Sequence, residues 1–391
     1  MRQPPKGDTP AVPAMHVPDR MDISFDVPFT HRVRFTQDAF GFQADELLDL
    51  FETVPGKAAR VLVCVDADVD AGTNVSMQVH RWSLMRPGAI ELVDILVIPG
   101  GERIKNHPEP IKHVLESIET AGLDRRSYVM AIGGGAFLDA VGFAAGLAHR
   151  GVRLVRLPTS TMGQADSGLG VKTAVNYFGK KNWLGHFAVP WAVVNDRKLL
   201  DTLPDRDWRC GFSEAVKVSL LKEPAFFERL CETAKSIAAR DTAASDFAIR
   251  RSAYWHLQHI TRGGDPFEAN EARPLDFGHW SAHRLEAMTN FEVRHGEAVA
   301  IGLAIDCAYS RRVHGLPADR EQQVRRCLAD LGMTLHHPAL ANAEALLDGL
   351  EEFRQHLGGR LTITMLQNAG SPIDVHHVDR TAMREAILSL C

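Results

Sequence analysis

A doubly wound α/β domain followed by a mostly α-helical domain is the architecture this sequence predicts, on three observations. Short β-branched runs alternate with helical patterns between about residues 20 and 200. One of those runs breaks into a glycine turn that opens a helix. Beyond about residue 205, helical patterns take over almost completely. Parallel strands need long crossovers, usually helices, so regular strand–helix alternation reads as a largely parallel sheet.

The elements follow in order. RVLVCVDADVD is a strand ending in Asp, and ELVDILVIPGGE is a second strand ending in a Gly-rich turn. PIKHVLESIETAGL is an amphipathic helix with a glycine stop. SYVMAIGGGAFLDAVGFAAGLAHRG reads as strand, glycine turn and helix; VRLVRLPTSTMG and WAVVNDRKLL supply two more strands. Four later helices are carried by WRCGFSEAVKVSLL, PAFFERLCETAKSIAARD, DFAIRRSAYWHLQHI and HGEAVAIGLAIDCAYSRRVHG, with RLTITMLQNAG as one late strand. Residues 1–20, rich in proline, are expected to be a disordered lead-in, 21–204 the α/β domain and 205–391 the helical domain.

Composition excludes several classes. The chain has 391 residues, 45% hydrophobic and 24% charged, which is ordinary for a globular protein of two domains. A net charge of −5 argues against nucleic acid or an anionic membrane surface as the main partner. None of the 6 cysteines forms a C-x-x-C pair, so free buried thiols are expected rather than a disulfide framework. There is no spanning apolar run and no signal-peptide pattern, so a cytoplasmic enzyme is expected.

Gly133, Gly134 and Gly135 follow the apolar strand YVMAI and open a helix. Such a turn lets backbone N–H groups approach a pyrophosphate, with the helix N-terminus adding partial positive charge. Asp66 and Asp68 end the first strong strand, where a carboxylate can accept from ribose hydroxyls. The spacing departs from G-x-G-x-x-G, and plain turn chemistry fits the same residues.

His279 and His283 lie four apart on one helix, His295 begins the next, and Glu214 lies in GFSEAVKVS with Lys217 one turn later. Two or three imidazoles and one carboxylate make an open catalytic zinc set; a structural histidine pair is the plainer alternative. Lys172, Lys181 and Asn182 crowd GVKTAVNYFGKKNWLG, read as a Gly- and Lys-rich loop suited to a phosphorylated, hydroxyl-rich molecule.

In order and spacing, GGGAFLDAVGFAA, RGVRLVRLPTSTMGQADSGLGVKTAVN, GKKNWLGHF, SEAVK, LDFGHWSAH and HGEAVAIG resemble the motifs of the dehydroquinate synthase-like sugar phosphate cyclases. The resemblance is strong from about Asp66 to His295 and continues weakly through EEFRQHLGGRLTITML. It implies NAD and Zn²⁺ (or Co²⁺) as cofactors and a homodimer as the assembly. By matching position it implies Glu214, His279 and His295 as metal ligands, and His283 as a substrate-side group. It assigns Asp66, Glu102, Lys105, Gly134, Gly135, Asp139, Thr159, Ser160 and Lys181 to NAD. Asp166, Lys172, Asn182 and Lys217 fall to substrate, and Arg150 to a phosphate reached across the dimer interface. Lys172, Asn182, His283 and Arg150 would together hold the phosphate. The reaction implied is transient oxidation of a ring hydroxyl, elimination of phosphate, re-reduction, ring opening and intramolecular aldol closure.

The sequence departs from dehydroquinate synthase proper at the corner that holds a substrate carboxylate. Counting back from His279, the expected Lys, Arg and Asn are Gln258, Ala272 and Asp276, with Arg273 one residue from the expected Arg. Lost charge-assisted hydrogen bonds are worth about 1.5–3 kcal/mol each. This favours a neutral sugar such as sedoheptulose 7-phosphate, giving a valiolone-type cyclitol, over the carboxylated heptulosonate phosphate. LDFGHWSAH also looks like the EboD-type branch, and Trp280 and Trp255 are unusual for the dehydroquinate enzyme. A metal-dependent polyol dehydrogenase shares the two-domain architecture but does not need the phosphate-holding residues.

Overall fold

A computed structural model describes residues 19–391 apart from 53–55, 179, 268–273 and 357. By contact the chain separates into two units, Met1–Thr30 and His31–Cys391. In the first, residues 19–30 are exposed and form neither helix nor strand, and the rest of the expected lead-in lies outside the described residues.

The second unit is built on a six-stranded sheet of order β1-β8-β5-β4-β2-β3. Its strands are β1 (Arg32–Thr36), β2 (Ala59–Asp66), β3 (Ile90–Ile98), β4 (Tyr128–Gly133), β5 (Arg153–Pro158) and β8 (Ala192–Asp196). Every neighbouring pair is parallel. The helices α1 (Ala44–Leu48), α2 (Ala67–Thr73), α3 (Val75–Leu84), α4 (Pro108–Thr120), α5 (Gly135–Leu147) and α6 (Thr161–Ala165) accompany it. Alternate strand residues feed two cores, Val61, Val63, Met130 and Ile132 on one face and Leu62, Cys64, Val129 and Ala131 on the other. A sheet buried on both faces explains the near-continuous apolar runs. Strand order reverses between β2 and β4, so the ends of these two strands form the switch point where parallel sheets bind ligands.

The helical part comprises α7 (Asp205–Lys222), α8 (Pro224–Ala238), α9 (Thr242–Arg262), α10 (His279–Met288), α11 (His295–Val313), α12 (Ala318–Asp330), α13 (Ala343–His356) and α14 (Arg380–Leu388). Residues Ala298–Ser310 of α11 are buried throughout, as befits a helix apolar on nearly every side. The late strand is β9 (Ile363–Asn368), and it pairs antiparallel with β10 (Ser371–Val375), which the sequence reading lacks.

A second difference concerns the Gly- and Lys-rich segment, expected as a loop. It is an antiparallel hairpin of β6 (Lys172–Tyr177) and β7 (Lys180–Phe187). Thr173 and Val175 are buried while Lys172 is exposed and Ala174 and Asn176 are half-buried, a two-residue alternation that ends at the register shift before Tyr177. The cysteines are free, and Cys64, Cys210, Cys307 and Cys327 are buried. Among the described residues no helix is long and apolar enough to cross a membrane.

Candidate active site

The parallel sheet puts Asp66, Gly133 and the Thr159–Ser160 step side by side at the carboxyl ends of β2, β4 and β5. Asp66 caps α2, accepting the Asp68 N–H at 3.1 Å, and burial pushes its carboxyl above the usual range. Asp68 itself is exposed. The Thr159 N–H donates to Gly133 O, and the Ser160 hydroxyl accepts from Gly163 as the cap of α6. A side chain added at Gly134 would meet no atom within 4 Å, so backbone at the N-terminus of the 13-residue helix α5 faces open space. Open backbone at a helix N-terminus beside a strand-end carboxylate suits a dinucleotide's pyrophosphate and ribose.

Glu214 of α7 is fully buried. His279 Nε2 lies 3.5 Å and His295 Nε2 3.8 Å from its Oε1, while Lys217, one turn along α7, forms an ion pair with Oε2. Neither carboxylate oxygen has a partner of proper hydrogen-bond geometry. The Glu214, His279 and His295 ligand atoms all lie within 4.8 Å of one another. Each histidine has its Nδ1 on an acceptor, His279 on Phe277 O at 3.1 Å and His295 on Glu286 Oε2 at 3.0 Å. Protons on those nitrogens leave both Nε2 lone pairs turned toward Glu214. A buried carboxylate without hydrogen bonds and two such imidazoles fit an open divalent-metal site, and Zn²⁺ or Co²⁺ suits the donor set.

Two glycines bring the helices this close. A Cβ on Gly296 would fall 2.2 Å from Cys210 O, so α11 can start beside Glu214 only with glycine there. Gly278 has φ +80° and turns the chain into α10 directly at His279.

The charges are mutually set. Although burial opposes it, Lys217 and the two histidines hold Glu214 well below the usual carboxylate range. Lys217 is raised against its own burial by Glu214, then by Asp166 and Asp276, which places Asp276 in the field of this cluster. Burial, then the neighbouring His279 and His295 rings at 5.5 and 5.8 Å, push His283 well below the histidine range although its surface faces solvent. His295 is raised by Glu286 despite burial.

Other expected residues fall into different groups. Lys105 donates to Asp139 Oδ2 at 2.7 Å and also to Asn182 Oδ1, so Asn182 joins the residues assigned to the dinucleotide. Glu102 joins the same network through Asn176, which donates to Glu102 Oε1 at 3.2 Å. Lys172 pairs with Phe187 in the hairpin register, at the opposite end from Asn182. Lys172 and Asn182 therefore stand toward opposite ends of a hairpin, where a loop was expected to crowd them together. Arg150 is exposed at the end of α5 with φ +63°. Lys181 donates to Glu286 at 3.0 Å. Gln258 is half-buried on α9, and Ala272 and Arg273 lie outside the described residues. Trp280 belongs to the core and Trp255 donates to Glu223, so neither indole is held by site residues.

Sequence reasoning missed three residues here. His256 is buried on α9 with Nε2 3.1 Å from Asp166 Oδ1. Arg156 is buried and donates to the Gly168, Gly170 and Lys172 carbonyls, fixing the turn between Asp166 and Lys172. Glu286 bridges Lys181 and His295. Only Glu286 left a signal, lying seven residues after His279 and three after His283 on one helix.

The models of the 3-dehydroquinate synthase N-terminal and C-terminal families match residues 95–210 and 211–354. The 3-dehydroquinate synthase of Xylella fastidiosa (strain M12) is 31% identical over 344 residues, covering 86% of this chain and 91% of the relative. Among solved structures, ValA (2-epi-5-epi-valiolone synthase) from Streptomyces hygroscopicus subsp. jinggangensis 5008, with NAD⁺ and Zn²⁺ bound, is 26% identical. It superposes with a TM-score of 0.85 over 95% of this chain and 99% of that one. A 2-deoxy-scyllo-inosose synthase complexed with carbaglucose-6-phosphate, NAD⁺ and Co²⁺ shares the fold, with 22% identity and a TM-score of 0.75 over 91% and 95% of the two chains.

Proposed function

This chain belongs to the dehydroquinate synthase-like sugar phosphate cyclases, and from that premise we propose that it cyclises sedoheptulose 7-phosphate to a valiolone-type cyclitol with loss of phosphate. The observation that carries the choice of substrate is Asp276, whose short helical turn Pro274–Asp276 packs on α7, the helix of Glu214 and Lys217. An acidic group there repels a substrate carboxylate and accepts a hydrogen bond from a neutral hydroxymethyl group instead. The likeness to ValA, a 2-epi-5-epi-valiolone synthase, points the same way. The curated relatives are 3-dehydroquinate synthases, and their identity favours the carboxylated heptulosonate phosphate as the second reading.

Glu214, His279 and His295 would hold Zn²⁺ or Co²⁺. Asp66, Asp68, Glu102, Lys105, Gly134, Gly135, Asp139, Thr159, Ser160 and Lys181 would hold NAD⁺ along the strand ends and the hairpin. When bound, these groups supply reversible hydride acceptance and charge stabilisation at vicinal hydroxyls. The protein's own part is placement. Lys217 offers a buried ammonium beside the ligand carboxylate, where it can donate to a substrate oxygen. Asp166, with His256 Nε2 3.1 Å from its Oδ1, would accept from a sugar hydroxyl. His283, its ring 5.5 Å from that of His279 and 5.8 Å from that of His295, can donate to or accept from the departing phosphate. Lys172, exposed at the start of β6, would also face substrate, and Arg150, exposed just beyond α5, would complete the phosphate site of a partner subunit in a homodimer.

The test offers the purified protein, with NAD⁺ and Zn²⁺ or Co²⁺, each sugar phosphate in turn and follows phosphate release. Turnover of sedoheptulose 7-phosphate is expected. Turnover of the carboxylated compound alone would overturn the choice of substrate, and Asp276→Asn should narrow the preference by about tenfold, one lost charge repulsion of roughly 1.4 kcal/mol.

A further inference from the structure

Glu286 has no part in the assignments above, yet it is nearly fully buried and occupies both of its oxygens at the edge of the metal group. Oε2 faces His295 Nδ1 at 3.0 Å, and Oε1 accepts from Lys181 Nζ at 3.0 Å. Lys181 comes from β7 of the hairpin, and Glu286 and His295 come from α10 and α11. Three separate elements therefore meet at one carboxylate.

We propose that Glu286 is a positioning residue that fixes the Nδ1–H tautomer and ring orientation of His295, and that Lys181 clamps Glu286 in that role. The inference rests on Glu214, His279 and His295 being the metal ligands. An acceptor on Nδ1 obliges the neutral ring to carry its proton there. Nε2 is then left as a bare lone pair, 3.8 Å from Glu214 Oε1. Carboxylate–histidine pairs of this kind raise ligand basicity, and losing the outer carboxylate lowers metal affinity about 10–100-fold. The His283, Glu286 and His295 ligand atoms also lie within 4.8 Å, which raises the alternative that Glu286 binds metal itself. Both Glu286 oxygens are already taken, Oε1 by Lys181 and Oε2 by His295 Nδ1, whereas neither Glu214 oxygen has a hydrogen-bond partner, and this argues against it.

The carboxylate has two oxygens for two donors, and glutamine has one. Glu286→Gln therefore leaves either Lys181 or His295 facing the amide N–H₂. Removing the lysine as well frees the single amide oxygen for His295. This sets an order of affinities that neither simple packing nor direct ligation reproduces.

The experiment measures Zn²⁺ affinity by competition with a fluorescent chelator, using the full chain stripped of metal, with thermal unfolding of each metal-free variant as the folding control. Glu286→Ala should lose about 10–100-fold in affinity, and Glu286→Gln an intermediate amount. The double variant Lys181→Met with Glu286→Gln should return to within about threefold of the parent, the single retained hydrogen bond sufficing to orient the ring. His295→Ala serves as the reference for an absent ligand. If His295→Ala binds Zn²⁺ like the parent, the metal-site reading fails and the proposal with it. If His295→Ala loses affinity but Glu286→Ala does not, the metal site stands and the positioning role is overturned. If both Glu286 variants and the double variant fall as far as His295→Ala, Glu286 is a ligand and the proposal is likewise overturned.

Discussion

The Trp280 indole donates to Asp306 Oδ1 at 2.8 Å, across the packing of α10 on α11. The other carboxylate oxygen accepts the Gly278 N–H, also at 2.8 Å. The two bonds bracket His279, so a buried acid on α11 holds the first turn of α10 where its histidine meets Glu214. Burial, only partly opposed by these bonds, pushes the Asp306 carboxyl up to about 7.

A pH dependence follows. In the unfolded chain this carboxyl titrates near its ordinary value of about 3.9. Between there and 7, the folded chain keeps a proton that the unfolded chain has released. Its contribution to stability is full below about pH 4 and is lost as pH rises toward 7. Asp306→Asn removes the titration. Urea unfolding should find the variant gaining on the parent by about 2–3 kcal/mol between pH 5 and pH 8. Parallel stability curves would show that Asp306 is not protonated in the folded state.

Glu214 and Lys217 form a buried ion pair three residues apart on α7. Removing one partner strands the other. Glu214→Ala should destabilise the metal-free protein by about 3–5 kcal/mol. Adding Lys217→Met should recover most of that loss, because no buried charge remains. A double variant as unstable as the single one would contradict the pairing.

Arg156 donates to three backbone carbonyls with a fork that lysine cannot reproduce. Arg156→Lys should release the turn between Asp166 and Lys172 and lower kcat/KM for phosphate release by about 10–100-fold. Zn²⁺ affinity, which depends on other elements, should stay within about threefold of the parent. Equal losses in both measurements would mean that Arg156 supports the whole domain rather than that turn.

Much of this was legible in the sequence, for identifiable reasons. The β2, β4 and β5 runs are buried on both faces, so their apolar character is unbroken and their strand ends are marked by Asp66, Gly133 and Thr159. Glu214, His279 and His295 converge as a cluster because each sits at a motif that also sets helix packing, such as the glycine beside His279. The hairpin was not legible, because β7 is exposed almost throughout and carries no buried alternation to read. The separation of Lys172 from Asn182 was lost with it. His256 and Asp306 were invisible for another reason. A polar residue on an otherwise apolar helix face shows its partner only when a distant helix packs on it, as α6 leads into Asp166 and α10 begins at Gly278.

On the proposed reaction this site oxidises its substrate only transiently while expelling phosphate. The most direct test follows phosphate release and NADH absorbance together in one reaction of the metal-loaded protein with NAD⁺ and sedoheptulose 7-phosphate. Phosphate should accumulate through many turnovers while NADH never exceeds the enzyme concentration. Steady accumulation of NADH without phosphate would rule out the cyclase reaction and assign the site to an alcohol dehydrogenase reaction instead.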